Sequence, residues 1–350
     1  MAWSKRGKIW GRERESGDAA PWIHETSVDE ALEAVRRQWK EHGIHAENGD
    51  WPLIQLAHIA VMRGLTRRVA PLVARLLRRR EAEGKLRWRL EHDRAGAVGI
   101  SMVRLMAAHV EDPALPVSQA RADAALFLRS IESCDELRPV HQLMPLITAT
   151  RLDAGTAQPL KKGGKLPLRA EMASTGICVA AHRQWHVEYL LAFGAEDEAL
   201  ELAHKGRSDQ PCGDTCAFAP HSMYAWLLEP LRRRGRADEA RVLHDRLESL
   251  MIPRLLYLNA MGHRIHYLAI EDCFEDAGRL IRQMLPLAQE PDASPWQKLK
   301  FYEGCAKALQ TARSKKAGAS RMLGPQARET SARIRAESEA CRQLFDQRPA

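Results

Sequence analysis

Aromatic residues are scarce in this chain, at 6% of 350 positions, and no apolar run approaches the length that crosses a bilayer. The first scarcity, in a chain dominated by alanine, leucine, arginine and glutamate, favours helix over sheet. The second speaks against a membrane partner. Cysteines number seven, an odd and scattered set, so no disulfide framework is expected and the reading is a reducing cytoplasm. The first residues carry charges but no continuous apolar core, which argues against a secretory signal. Chemistry-bearing motifs are also missing. Residues 161–165 lack the spacing and the Ser or Thr of a phosphate loop, and no Gly-x-Ser-x-Gly elbow occurs. No catalytic residue is therefore singled out, and whether the chain is an enzyme stays open, with a non-enzyme the favoured reading.

What is present is repetition. Segments 185–203, 224–243 and 262–281 each hold an apolar helical run, a short turn, an acidic pair, an alanine and a second apolar run. Gly194 and Gly235 stand five residues before Ala199 and Ala240, and Asp272 takes the glycine's place before Ala277. The alanines recur after 41 and then 37 residues. A period near 40 made of two helices predicts stacked helical hairpins, because one hairpin cannot bury its apolar face alone. Glycine supplies the positive φ that ends the first helix. The acidic residues after it suit the N-terminus of the second.

These hairpins resemble those of tetratricopeptide-repeat proteins, which share the glycine-to-alanine spacing and the small residue at the helix crossing. The period is longer than the usual unit of about 34 residues and is similar to the degenerate repeats of bacterial proteins. The resemblance covers about a third of the chain. It implies an all-α, right-handed α-solenoid and a protein- or peptide-binding scaffold of the bacterial cytoplasm, with the contact on the concave face of residues 173–281. It also places Glu188, Glu229 and His266, six residues before Gly194, Gly235 and Asp272, toward the groove. Trp185 and Tyr224 on the same helices join them as candidate groove residues. Glu, Glu and His in a row would suit a basic or polar segment.

Two other readings compete. Cys178, His182 and His186 fall along one helical stripe, followed by Cys212, Cys216 and His221 and then by His263. Four such thiolates and imidazoles would satisfy tetrahedral zinc, structural or hydrolytic. Against this, buried cysteine packs as a small apolar residue and the set matches no standard zinc spacing. The net charge of +8 and a pI near 9.2 raise nucleic acid as a partner, through Arg78, Arg79, Arg80, Lys85 and Arg87. Arginines on solvated helix faces explain the same run.

Along the chain, residues 1–20 read as a flexible basic arm and 21–150 as N-terminal helical hairpins. Residues 151–170, with prolines, glycines and lysines, read as a loop or linker. Residues 171–312 form the repeat region with a capping helix. Residues 313–350 read as a flexible segment followed by a polar helix that packs loosely.

Overall fold

A computed structural model describes residues 66–86, 95–153 except 133, 179–205, and 220–349 except 252 and 317, with isolated positions 33, 37, 56, 57 and 60. The basic arm, nearly all of residues 21–65 and most of the 151–170 stretch lie outside the described residues. Among the described residues every regular element is helical and no strand occurs. No helix among them is long and apolar enough to cross a membrane.

The N-terminal helices are α1 (Thr66–Ala82), α2 (Ala95–Val110), α3 (Val117–Ser130) and α4 (Arg138–Leu152). Three helix pairs follow: α5 (Val179–Ala192) with α6 (Glu196–Lys205), α7 (His221–Arg233) with α8 (Ala237–Leu250), and α9 (Leu258–Ile270) with α10 (Phe274–Gln289). The chain ends in α11 (Pro295–Ser314), α12 (Gly318–Leu323) and α13 (Ala327–Asp346).

The turn inside each pair is the same device built three times. Gly194, Gly235 and Asp272 have φ of 76°, 73° and 62°. The following amide reaches back five residues: Ala195 N to Leu190 O, Arg236 N to Leu231 O and Cys273 N to Leu268 O, at 2.9, 3.0 and 2.9 Å. This 6→1 bond closes the first helix and satisfies one of its last carbonyls. Aspartate tolerates the left-handed conformation better than most side chains, so Asp272 holds the position where the other copies have glycine. Ala199, Ala240 and Ala277 are wholly buried against the first helix of their pairs.

Neighbouring turns are laced by ion pairs. Arg233 and Arg234 reach back to Glu196 and Asp197, Arg232 reaches forward to Glu271, and Lys315 meets Asp272 at 2.9 Å. The basic cluster at 232–236 is thus a bridge between turns. Each exposed pair is worth at most about 1 kcal/mol.

Packing runs through one row of helices. α2 touches α4, α4 touches α5, and the series continues through α7, α9, α11 and α13. α6, α8, α10 and α12 flank the row. α9 and α11 pack backbone to backbone: a Cβ on Gly304 would lie 2.2 Å from the Gly262 carbonyl oxygen. Two apolar cores meet in α4 and α5. Val140, Leu143 and Trp185 belong to the N-terminal core, and Leu146, Val187 and Tyr189 to the C-terminal one.

The far end of the chain returns to the beginning. Arg68 makes a two-pronged pair with Asp292, at 2.6 and 2.9 Å. Arg348 donates to the carbonyls of Leu115 and Val110, and Val117 N donates to Pro349 O. Three expectations change here. Arg151 and Leu152 finish a helix rather than open a loop. Residues 318–323, read as flexible, form α12 and bury Met322 and Leu323. The last helix is packed on α11 through Ala327, Ser331, Ile334, Ser338 and Cys341, so α11 is an inner member of the row rather than a cap.

Candidate functional site: a cavity on the inner helices

A cavity of about 360 Å³ opens along the row. α4 gives Thr150, α5 gives Glu188, Leu191 and Ala192, and α7 gives Trp226 and Glu229. α9 gives Asn259, His263 and His266, and α11 gives Trp296, Lys300, Glu303, Gly304 and Lys307. The spacings of three and four within each helix put these residues on one stripe per helix. Glu188, Glu229, His266 and Glu303 follow one another at 41, 37 and 37 residues, so the row read from the sequence extends by one position into α11.

One wall is fixed by a buried charge cluster. Arg151 Nε donates to Glu111 Oε1 at 2.8 Å, and its Nη2 donates to Glu188 Oε2 at 3.2 Å. Ser294 Oγ donates to the second oxygen of Glu111 while capping α11. The guanidinium lies over the Trp296 ring, 5.3 Å from its centre. Burial works against the charge on Arg151, but Glu188 and then Glu111 outweigh it and hold its pKa above the ordinary value. Removing one member would strand an opposite charge away from water.

The opposite wall is electrostatically different. His266 Nδ1 lies 3.1 Å from Glu229 Oε2, and this hydrogen bond is the main cause that lowers Glu229 to about 2. Arg233 also pairs with Glu229, at 2.6 Å. His263 is lowered to about 4, first by burial and then by Lys307 and Lys300. It is therefore a neutral imidazole at neutral pH. Lys300 pairs with Glu303 at 3.0 Å and sits 4.6 Å from the Trp296 ring centre.

Of the groove residues expected from the sequence, Glu188, Glu229 and His266 stand on this wall. Trp185 and Tyr224 do not. Trp185 is packed in the N-terminal core with Arg104 over its ring, and Tyr224 is buried under Arg246. Tyr224, two residues before Trp226, points away from the cavity stripe, whereas Trp185, three residues before Glu188, is in line with it but one turn beyond the lining residues.

Among the described residues the histidines of the Cys/His set do not form a metal centre. Cys178, Cys212 and Cys216 lie outside the described residues. Among the described residues no group of three or more His, Cys, Asp or Glu has metal-site geometry. His182 and His186 are neighbours with ring centres 6.3 Å apart, His221 stacks on Tyr257, and His263 faces the cavity. Burial, with His186 and Arg183 beside it, lowers His182 to about 3.

The basic run on α1 is largely engaged within the fold. Arg78 meets Asp123 at 3.3 Å, Arg79 meets Glu83 at 3.0 Å, and buried Arg80 donates to the Lys85 carbonyl. Lys85 itself stands 3.9 Å from Glu83, and Arg87 lies outside the described residues.

Sequence reasoning missed Glu303, Lys300, Lys307 and Trp296. The 37-residue step from His266 to Glu303 was the available signal, but α11 lacks the glycine and acidic pair that marked the other copies. Comparison with known protein families, with curated proteins and with solved structures finds no match for the chain.

Proposed function

We propose that this chain is a binding protein, a tetratricopeptide-like α-solenoid that receives a peptide segment of a protein partner in the cavity of its inner helices. The observation that carries the reading is convergence: residues from five helices, between positions 150 and 307, line one half-open cavity. Its volume is in the range of ligand-binding clefts, and its wall mixes indole and aliphatic surface with a few placed charges. The relay of inner-helix contacts from α2 to α13, with the flanking helices outside, supports the solenoid arrangement.

The test is selection of random heptapeptides on the full-length protein, beside an Ala192→Trp variant whose indole fills the cavity. Ala192 is half-buried at the rim, so the core is left intact. Peptides retained by the parent and lost by the variant are the expected result. Equal retention by both would refute binding at this cavity.

A further inference from the structure

The charges on the cavity wall are matched among themselves. Arg151 is shared by Glu111 and Glu188, Arg233 by Glu196 and Glu229, and Lys300 holds Glu303. An entering ammonium group would have to displace one of these cations. An entering carboxylate would find only Lys307, which is exposed, and an ion pair in solvent is worth little. What remains open on the wall is a neutral stripe on α9. Asn259, His263 and His266 stand at spacings of four and three, half-buried, on the side of the helix that lines the cavity.

Each of the three keeps a hydrogen-bonding group open. A carboxylate only accepts, so the 3.1 Å contact with Glu229 puts the proton of a neutral His266 ring on Nδ1. Nε2 is then a lone-pair acceptor, without a hydrogen-bond partner among the described residues and not shut off from solvent. His263, kept neutral by burial, carries one N–H and one lone pair, and both of its nitrogens are in that same open state. Asn259 has its Nδ2 donor open, while its Oδ1 is shut off from solvent and takes no part. The stripe therefore offers donors and acceptors side by side and no net charge.

We infer that the group this cavity receives is a primary carboxamide, the side chain of a glutamine or asparagine in the peptide segment proposed above, a reading on which this inference rests. Its N–H donates to His266 Nε2, and its carbonyl oxygen accepts from His263 or Asn259. A carboxamide presents donor and acceptor from one carbon, which suits imidazoles one helical turn apart, and it brings no charge for the wall to balance. Leu191 and Ala192 supply apolar surface in the same cavity for the methylenes of a glutamine.

The experiment uses heptapeptides with acetylated N-termini and amidated C-termini, so that no terminal charge contributes. Their central residue is fixed as Gln, Asn, Glu, Lys, Ser or Ala, with the flanks randomised, and the full-length protein is the probe. The Gln or Asn set should be enriched over all the others. In the best binder, a central N,N-dimethylglutamine keeps the carbonyl but has no N–H, and it should bind about tenfold more weakly. His266→Phe with an unchanged melting curve should weaken the parent peptide similarly, and the peptide series stands even where that variant does not fold. Enrichment of the Glu, Lys or Ser set, equal retention of the Ala set, or full binding of the dimethylated peptide would overturn the carboxamide inference and leave the peptide reading standing. No set bound above the Ala192→Trp variant would overturn both.

Discussion

The two cores solve the same packing problem by different means. The C-terminal core repeats one helix pair, with a left-handed residue in each turn, a buried alanine at each crossing and ion pairs from turn to turn. Among the described residues the N-terminal core has the left-handed turn once, at Gly84 after α1, where Lys85 N reaches back to Arg80 O at 2.8 Å, but it does not repeat the pair. Pro113 and Pro116 separate α2 from α3, a 3₁₀ turn at Asp135–Leu137 leads into α4, and a buried polar cluster sits between the helices. There Asp123, wholly buried, accepts from His109 Nε2 at 2.8 Å and from Gln119 Nε2 at 2.9 Å, with Arg78 at 3.3 Å. Where a unit repeats, register is set many times over by weak local signals. Where it does not, a few buried polar contacts, centred on Asp123, must specify how the helices meet.

That contrast can be broken first at Asp123. Replacing Asp123 with Ala leaves His109 and Arg78 facing an empty buried position, a loss of about 3–5 kcal/mol. Urea melts should show it, with a spectroscopic probe in α2 or α3 affected before one in α9. A Gly304→Ala change strikes the other core, because the new methyl meets the backbone of α9 rather than a movable side chain. Overpacking of this kind amounts to about 1–3 kcal/mol. Uniform destabilisation of both cores by both variants would show that they unfold as one unit.

Smaller effects test the turns. Gly235→Ala forces an L-residue into the left-handed region and should cost about 1 kcal/mol. Asp272→Gly relieves the same strain but gives up the pair with Lys315, so it should move stability by less than about 0.5 kcal/mol. A large loss at Asp272 would show that its side chain, rather than its φ, holds that turn.

Acid sensitivity separates the halves less sharply. Between about 3 and the ordinary histidine value of 6.5, the unfolded chain protonates His182 while the folded chain does not. Stability is therefore lost as pH falls below 6.5, and the loss levels off once pH passes below the folded value. His263 adds the same effect down to about 4, and Glu229 adds to it between 4.5 and about 2. His182→Gln should flatten the fall in melting temperature from roughly pH 7 to pH 5. An unchanged slope would place the proton uptake elsewhere.

The helix pairs were legible because each was marked by glycine, acid and alanine at fixed offsets, and even the exception at Asp272 fell on the expected backbone. The inner stripe was legible for three residues, by register alone. Trp185 and Tyr224 misled because an aromatic on an inner helix is as well suited to the core as to a groove. α13 was under-read for a related reason. Its buried stripe of Ala327, Ser331, Ile334, Ser338 and Cys341 is small and polar, so its apolar signal is thin although its spacing is regular. The Glu111–Arg151–Glu188 cluster had no sequence signal, since it joins side chains at α2, α4 and α5 at no repeated spacing, and Ser294 reaches it only through the return of α11 to the N-terminal helices.

Hydrogen exchange on the full-length protein, with and without a selected heptapeptide, tests the central claim most directly. Bound peptide should slow exchange in α7, α9 and α11, around Trp226, His263 and Lys300, while α8 and α10 exchange as before. Protection confined to α1, around Arg78–Arg80, or to the outer helices would contradict a binding site on the inner face.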